Sequence, residues 1–352
     1  MTQFEIALYP GDGIGPDVLQ QAVRVMQSIG ERHGIRFKFK TLDWGYEYWK
    51  EHGRVVPEGF LDEIRDVDSI LLGAVGWPED IPDHVTLAPL VQIRQAFDQY
   101  ACVRPANLFP GLKSVLAGRS ADDIDFIVIR ENSEGEYIDN GGRFKQGTPD
   151  EVAVQTAVHT RKGVERILRF GFETARRRRG RLTMATKSNA QKYSYVMWDS
   201  ILEELTPEYP DVEAERMHCD AAVMNLVRWP DQFDVIVASN LFGDLLTDLG
   251  GILGGGLGLA PSSNENPSRE FPSMFEPVHG SAPDIAGLGI ANPIAAILSV
   301  AMMLDHLECP AAAHDVRVAV EKALLEGAMT PDLGGHLTTI EMGDAVLASL
   351  HD

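Results

Sequence analysis

The chain has 352 residues, 44% of them hydrophobic and 24% charged, a composition that suits a globular protein with a sizeable core. Its formal net charge of −21 argues against nucleic acid and anionic membrane partners, because a surface of that sign repels both. The longest apolar stretch, 294–304, is well short of the roughly 20 residues that cross a bilayer, so no membrane segment is expected.

Strand and helix signals alternate from the N-terminus. Phe4–Tyr9 reads as the first strand, too short for the apolar centre of an export signal, and it runs into a Pro10-Gly11-Asp12 turn. Pro16 suits the first turn of a helix reaching about Arg32. Gly11-Asp12-Gly13-Ile14-Gly15 spaces its glycines G-x-G-x-G, which predicts a tight turn at a helix N-terminus and lacks the G-x-G-x-x-G spacing of a Rossmann site. Ser69–Ala74, Phe126–Arg130, Leu182–Ala185 and Asp234–Ala238 are further short apolar runs, most followed by helical patterns. That rhythm predicts an α/β fold with a largely parallel sheet. Glu151–His159 alternates apolar and polar residues as an antiparallel arm or edge does. The basic run Arg176–Arg181 ends a helix, where cations oppose the C-terminal dipole and Gly180 is a natural C-cap; a solvated helix end is expected there. Cys102, Cys219 and Cys309 form an odd, sparse set without metal spacing, which predicts reduced thiols in a cytoplasmic protein.

Four groups of residues carry chemistry. Asp244 and Asp248 lie four apart on a predicted helix after the strand 234–238, so both carboxylates share one face. Like charges at that spacing destabilise a bare helix, and hard oxygen donors so placed suit a divalent cation. Asp220, after a strand-like stretch, is a candidate third acid. Arg94, Arg104 and Arg130 offer planar guanidinium groups that bind carboxylates at two points, and Arg130 closes a strand, where ligands bind in open α/β folds. Tyr137 and Lys187 become acid–base catalysts where burial or neighbouring cations tune them. Taken alone, the same residues also fit two exposed helix acids, three separate salt bridges, a core tyrosine and a surface lysine.

In combination, Gly11–Pro16, Arg94 to Arg104-Pro105, Arg130 to Tyr137, Thr186–Asn189, Asn240–Asp248 and Glu276–Asp284 resemble the metal-dependent β-decarboxylating dehydrogenases of (R)-hydroxyacids, the isopropylmalate and isocitrate dehydrogenase family. The resemblance runs from Tyr9 to the C-terminus. It implies that family's two-domain α/β fold, distinct from a Rossmann fold, with a large mixed sheet and an antiparallel dimer arm. Residues 1–100 and 255–352 would form the nucleotide domain; 101–254 would carry the metal, the substrate and the dimer contacts. It assigns Arg94, Arg104 and Arg130 to the substrate carboxylate that leaves, Asp220, Asp244 and Asp248 to Mg²⁺ or Mn²⁺, and Lys187 and Tyr137 to acid–base catalysis. Lys187, Asn189 and Asp220 would come from the partner in a homodimer, with a tetramer as the larger option. The dinucleotide would contact Gly258, Glu276, His279, Gly280, Ser281, Ala282, Asp284, Ile285 and Asn292, with Asn189 reaching it as well. Asp284 stands where an acid binds ribose hydroxyls and repels a 2′-phosphate, which favours NAD; K⁺ is a candidate further cofactor. Tyr137, Lys187 and the three aspartates are all present, unlike in the non-catalytic regulatory subunits of such enzymes.

Ala74–Pro78 with Pro82-Asp83-His84 is similar to the tartrate dehydrogenase and D-malate dehydrogenase branch, and Trp77 would suit a substrate bearing only hydrogen or hydroxyl at C3. Ala88-Pro89 departs from that branch, which has a Trp-Gly-Ser element and one more residue. The expectation is therefore NAD- and metal-dependent oxidative decarboxylation of a C4 (R)-2-hydroxy dicarboxylate, D-malate or a tartrate isomer, with meso-tartrate decarboxylation as a side reaction. 3-Isopropylmalate is the alternative substrate.

Overall fold

A computed structural model describes residues 2–351. The chain opens with β1 (Thr2–Gly11), α1 (Gly15–His33) and β2 (Ile35–Thr41), in a parallel crossover. Pro16 occupies the first turn of α1, and Gly34 ends it in the left-handed region, donating its N–H to the Gly30 carbonyl. The short helices α2 (Tyr46–His52) and α3 (Phe60–Ile64) lead to β3 (Ser69–Ala74), in which every residue is buried. A continuous apolar run of that kind marks a strand covered on both faces. After α4 (Asp83–Thr86) and α5 (Ala88–Ala96), β4 (Ala101–Asn107) and β5 (Asp125–Glu131) pair antiparallel.

A two-stranded antiparallel arm follows, β6 (Gly141–Phe144) with β7 (Val152–Gln155), and all eight of its residues are exposed. Then come α6 (Arg161–Arg176), β8 (Arg181–Thr186), α7 (Ser194–Leu205), β9 (Glu213–His218), α8 (Cys219–Arg228), β10 (Val235–Ala238) and α9 (Asn240–Leu253). The chain returns through β11 (Pro261–Glu265) and β12 (Ser273–Pro277) and closes with α10 (Ile294–His306), α11 (Pro310–Leu325) and α12 (Thr339–His351).

Among the described residues, ten strands form one sheet in the order β2-β1-β3-β12-β11-β4-β5-β10-β8-β9. Its two outer portions are parallel, but β11 runs antiparallel to both neighbours and β4 antiparallel to β11 and β5. The sheet is therefore mixed, as the family resemblance implied, and six of its nine strand pairings are parallel, in keeping with the strand–helix rhythm. The three antiparallel pairings all involve β4 or β11, which are joined to their neighbours by connections other than strand–helix–strand crossovers. Pro105 lies beyond the last β4–β11 pair, Val103 with Ser263, so its missing N–H interrupts no pairing on that side.

The core divides in the same way. Buried members of two hydrophobic clusters come from 6–97 and 259–350, and those of the other two from 101–253. α10 lies inside the first group with ten buried residues, which accounts for the long apolar stretch in the sequence. The basic run that ends α6 is exposed at Arg176, Arg177, Arg179 and Arg181, the solvated helix end that composition suggested, while Arg178 is half-buried. Arg178 and Arg179 pair with Asp125, and Arg178 donates to the buried Asp234 at 2.7 Å. The helix itself closes three residues before Gly180, at Arg177, while Gly180 takes φ +76° and donates its N–H to the Ala175 carbonyl.

Candidate active site

The antiparallel register of β4 and β5 sets Arg104 and Arg130 on neighbouring strands beneath α9. Gly243 lets α9 lie directly on Arg130, since a Cβ at that position would sit 2.6 Å from the arginine's own Cβ. Asn240, the first residue of α9, accepts two bonds from Arg130, from Nε at 2.9 Å and from Nη2 at 2.6 Å. The remaining Nη1 pairs with Asp244, one turn along the helix. Arg104 donates to Ser262 Oγ at 3.2 Å and Thr247 Oγ1 at 2.8 Å, and its Nη1 lies 3.4 Å from Asp244 and 3.9 Å from Asp248. The Tyr137 hydroxyl donates to the other Asp244 oxygen at 2.9 Å, and the Arg130 guanidinium sits 5.2 Å above the Tyr137 ring.

The local field follows from these contacts. Burial, then the neighbouring Arg104 charge, pulls the Arg130 guanidinium below its ordinary value. Burial and then Asp244 push the Tyr137 hydroxyl up to about 12, so it carries its proton at neutral pH. Burial first, and then the Asp244 charge, raise the Asp248 carboxyl, while Arg104 and Arg130 oppose the shift.

Arg94, on α5, reaches the same crevice from the opposite side: it lines a small recess with Asn132, Ser133, Tyr137 and Asn240. Its Nη2 donates to Glu276 at 2.9 Å, while its buried Nε has no protein partner. Asn264 donates to the same Glu276 oxygen at 2.7 Å and accepts from Asn132 at 2.9 Å. Glu276, expected to touch the dinucleotide, thus pairs with Arg94, the arginine expected to bind substrate. A larger cleft, of about 980 Å³ between α6, α10 and α11, contains none of the predicted site residues.

Lys187 and Asp220 form a separate pair. β8 and β9 run parallel with Thr186 opposite His218, so the residues that follow them emerge side by side. Lys187 Nζ donates to Asp220 Oδ1 at 2.8 Å, and that bond holds the Asp220 carboxyl below the usual carboxylate range. Asn189 is exposed on the same loop. Among the described residues, no three acidic, imidazole or thiol groups of one chain converge as a metal site, so Asp220 does not join Asp244 and Asp248 within a single chain.

The loops after β12 form the third part. The Ser281 carbonyl accepts from Ile14 N–H at 2.8 Å, and its hydroxyl donates to the Gly76 carbonyl at 2.6 Å. A Cβ on Gly13, which has φ +59°, would lie 2.0 Å from the Ser281 oxygen, so the glycine-rich turn serves close packing against this loop. Asp12 accepts the N–H groups of Tyr46 at 2.6 Å and Gly76 at 2.8 Å, and Trp77 stacks on Tyr46 at 4.7 Å. His279 turns Nδ1 to the Gly280 carbonyl at 2.9 Å and leaves Nε2 buried without a partner; burial lowers its pKa. Gly258 packs against Asn292 and Asp332, and Asn292 donates to Asp332 at 3.0 Å. Ala282 adopts φ +40°, Ile285 is half-buried, and Gly280 and Asp284 are exposed.

Residues 5–346 match the model of the isocitrate/isopropylmalate dehydrogenase family. The chain belongs to that family. It is 48% identical to D-malate dehydrogenase (decarboxylating) of Escherichia coli strain K12, over 98% of both chains. It is 45% identical to tartrate dehydrogenase/decarboxylase of Pseudomonas putida, over 99% of this chain and 98% of that one. Among solved structures, isocitrate dehydrogenase from Methylococcus capsulatus superposes with a TM-score of 0.90 at 37% identity, covering 99% of this chain and all of that one. The family's α/β fold with its large mixed sheet is therefore that of this chain, and the chain is a decarboxylating dehydrogenase-type oxidoreductase. Among the described residues, no helix is long and apolar enough to cross a membrane.

Family members generally use NAD(P) and a divalent metal, and the residues here fit both. Asp244 and Asp248 offer hard oxygen donors whose mutual repulsion a cation would relieve. The orphaned His279 Nε2 faces the need for a polar partner at the loop expected to hold the nucleotide. Sequence reasoning missed Asn240, Thr247, Ser262 and Asn264. The available signals were an asparagine at the junction of strand and helix, and a polar run, Ser262-Ser263-Asn264, set within a buried strand.

Proposed function

We propose that this enzyme oxidises and decarboxylates a C4 (R)-2-hydroxy dicarboxylate, D-malate or a tartrate isomer, with NAD and Mn²⁺ or Mg²⁺. One observation carries the reading: Asp244 is held jointly by Arg104, Arg130 and Tyr137, so cations suited to a carboxylate, a protonated acid and acidic metal donors occupy one crevice. The names of the relatives, D-malate dehydrogenase and tartrate dehydrogenase/decarboxylase, support the choice of substrate class.

Asp244 and Asp248, with Asp220 from a second copy, would hold the divalent ion, which when bound supplies Lewis-acid stabilisation of negative charge developing on the substrate. Arg104 and Arg130, with Arg94, bind and orient the carboxylate that departs. Their guanidinium groups are already fixed by Ser262, Thr247, Asn240 and Glu276, so little ordering is needed on binding. Tyr137 keeps its proton to high pH and would deliver it to carbon after CO₂ leaves. Lys187, from the second copy, takes the proton of the C2 hydroxyl.

The division into a nucleotide domain (1–100 and 255–352) and a metal, substrate and dimerisation domain (101–254) is part of this proposal, with NAD lying along Gly258, His279–Ile285 and Asn292. A homodimer is supported by an exposed apolar surface on the second domain: Val223, Met224 and Val227 on α8, Leu245 and Ile252 on α9, and Phe144, Val152 and Val154 on the arm. The exposed Asp284 carboxylate favours NAD over NADP by repelling a 2′-phosphate.

The purified protein, supplied with Mn²⁺ or Mg²⁺ with and without K⁺, is assayed for NADH formation on D-malate, the tartrate isomers and 3-isopropylmalate, and for CO₂ release from meso-tartrate. The expected result is the highest kcat/KM on a C4 substrate and a strong preference for NAD over NADP. A dominant rate on 3-isopropylmalate would overturn the substrate assignment.

A further inference from the structure

Lys187 sits on a loop with little packed behind it. A cleft of about 460 Å³, lined by Ser188, Asn189, Asp199, Arg216 and His218 among others, opens on the far side of that loop. Hydrogen bonds within the chain tie down the backbone that carries the lysine.

They run through one buried carboxylate. Thr186, at the end of β8 and 1% exposed, donates its hydroxyl to Asp199 Oδ1 at 2.7 Å and accepts the Ser188 N–H at 3.3 Å. Asp199, on α7 and 5% exposed, accepts Arg216 Nη1 from β9 at 2.7 Å on its other oxygen. Beyond the lysine, the N–H groups of Ala190 and Gln191 close on the Lys187 carbonyl at 3.0 and 2.9 Å. The chain Ser188–Thr186–Asp199–Arg216 thus ties the end of β8, which presents Lys187, to β9, which leads to Asp220. A buried carboxylate is costly unless paired, and for stability alone an apolar residue serves as well or better. Its position under the Lys187 loop is what distinguishes this one.

We propose that Thr186 and Asp199 are positioning residues for Lys187, and that the Asp199–Arg216 pair fixes the placement of Lys187 relative to Asp220. The inference rests on the assignment of Lys187 as the base, and goes beyond it by naming what holds that base in place. Displacements of about 1 Å at a reacting group cost up to roughly 100-fold in rate.

The test compares Thr186→Val, which keeps the shape and removes the hydroxyl, with Thr186→Ser, which keeps the hydroxyl. For each, kcat, KM for NAD and the thermal midpoint are measured in the metal-loaded enzyme. Thr186→Val is expected to lose about 10- to 100-fold in kcat with KM for NAD and the midpoint close to wild type, and Thr186→Ser to recover most of the rate. Wild-type kcat in Thr186→Val, or an equal loss in Thr186→Ser, would overturn the proposal. Should Thr186→Val fail to fold, Asp199→Asn carries the test: it keeps an oxygen facing Thr186 and removes the charge facing Arg216, and an unchanged kcat in a folded variant is the contrary result. Lys187→Met separates the two readings. An inactive Lys187→Met beside a fully active Thr186→Val refutes positioning alone, whereas an active Lys187→Met refutes the base assignment itself.

Discussion

The two halves of the site are built on opposite principles. Around Asp244, two buried arginines, a tyrosine and an asparagine of the same chain are already bonded to one another, and every guanidinium has a partner from β11 or α9. Around Lys187 there is a single ion pair on an open loop, with Asp220 largely exposed and a cleft behind. The first half is rigid because its charges compensate within the chain. The second is tethered by a polar chain and faces outward, the arrangement expected of residues that complete a site on another copy. In the proposed mechanism the buried half would bind the departing carboxylate and supply Tyr137 as the acid, and the exposed half would supply Lys187 as the base and Asp220 to the metal.

Mutations separate the two tasks. Lys187→Met should have the largest effect, a loss of about 100- to 10,000-fold in kcat, because a general base typically contributes that much. The NAD affinity should stay as in wild type, and a steady-state comparison checks both. Arg130→Lys should cost less in rate but raise the KM of the dicarboxylate about tenfold or more. A lysine cannot reproduce the fork that reaches Asn240 and Asp244 together. An unchanged KM would mean that the buried cluster is structural only.

The smallest effect is spectroscopic. In metal-free protein, the phenolic group absent from Tyr137→Phe should ionise near pH 12, above the ordinary tyrosine value of about 10. The raised value has a stability consequence of definite sign: the protonated tyrosine favours the folded state below pH 10, and that contribution is lost as pH climbs toward 12. Ionisation of Tyr137 near 10 would show that neither its burial nor Asp244 perturbs it.

Much of this was legible in the sequence, for reasons that particular residues make clear. β1, β3, β5, β8 and β10 announce themselves as short apolar runs because both faces of the sheet are covered. β4 and β11 do not, because each carries site residues into the core. Arg104 and Pro105 break the apolar pattern of one, and Ser262, Ser263 and Asn264 make the other read as loop although all three are buried. Their polarity is satisfied across the sheet, by contacts such as Arg104 to Ser262 and Asn264 to Glu276, that no local pattern encodes. The arginines and aspartates were identifiable by type and spacing. That Arg94 rests on Glu276, or that Asn240 holds Arg130, depends on contacts between residues 182 and 110 positions apart. The ion pairs within the basic run that ends α6 were hidden for the same reason, since Asp125 and Asp234 meet Arg178 and Arg179 only in the folded chain.

Subunit complementation tests the divided site most directly. Tyr137→Phe and Lys187→Met chains, each nearly inactive alone, are co-expressed with different tags, and the mixed species is isolated. If Tyr137 and Lys187 of one site come from different copies, a mixed dimer contains one site with both groups intact, and the isolated mixed species regains about half of wild-type activity. If both groups of a site belong to one chain, every site in the mixture carries a defect, and activity stays at the level of the separate variants.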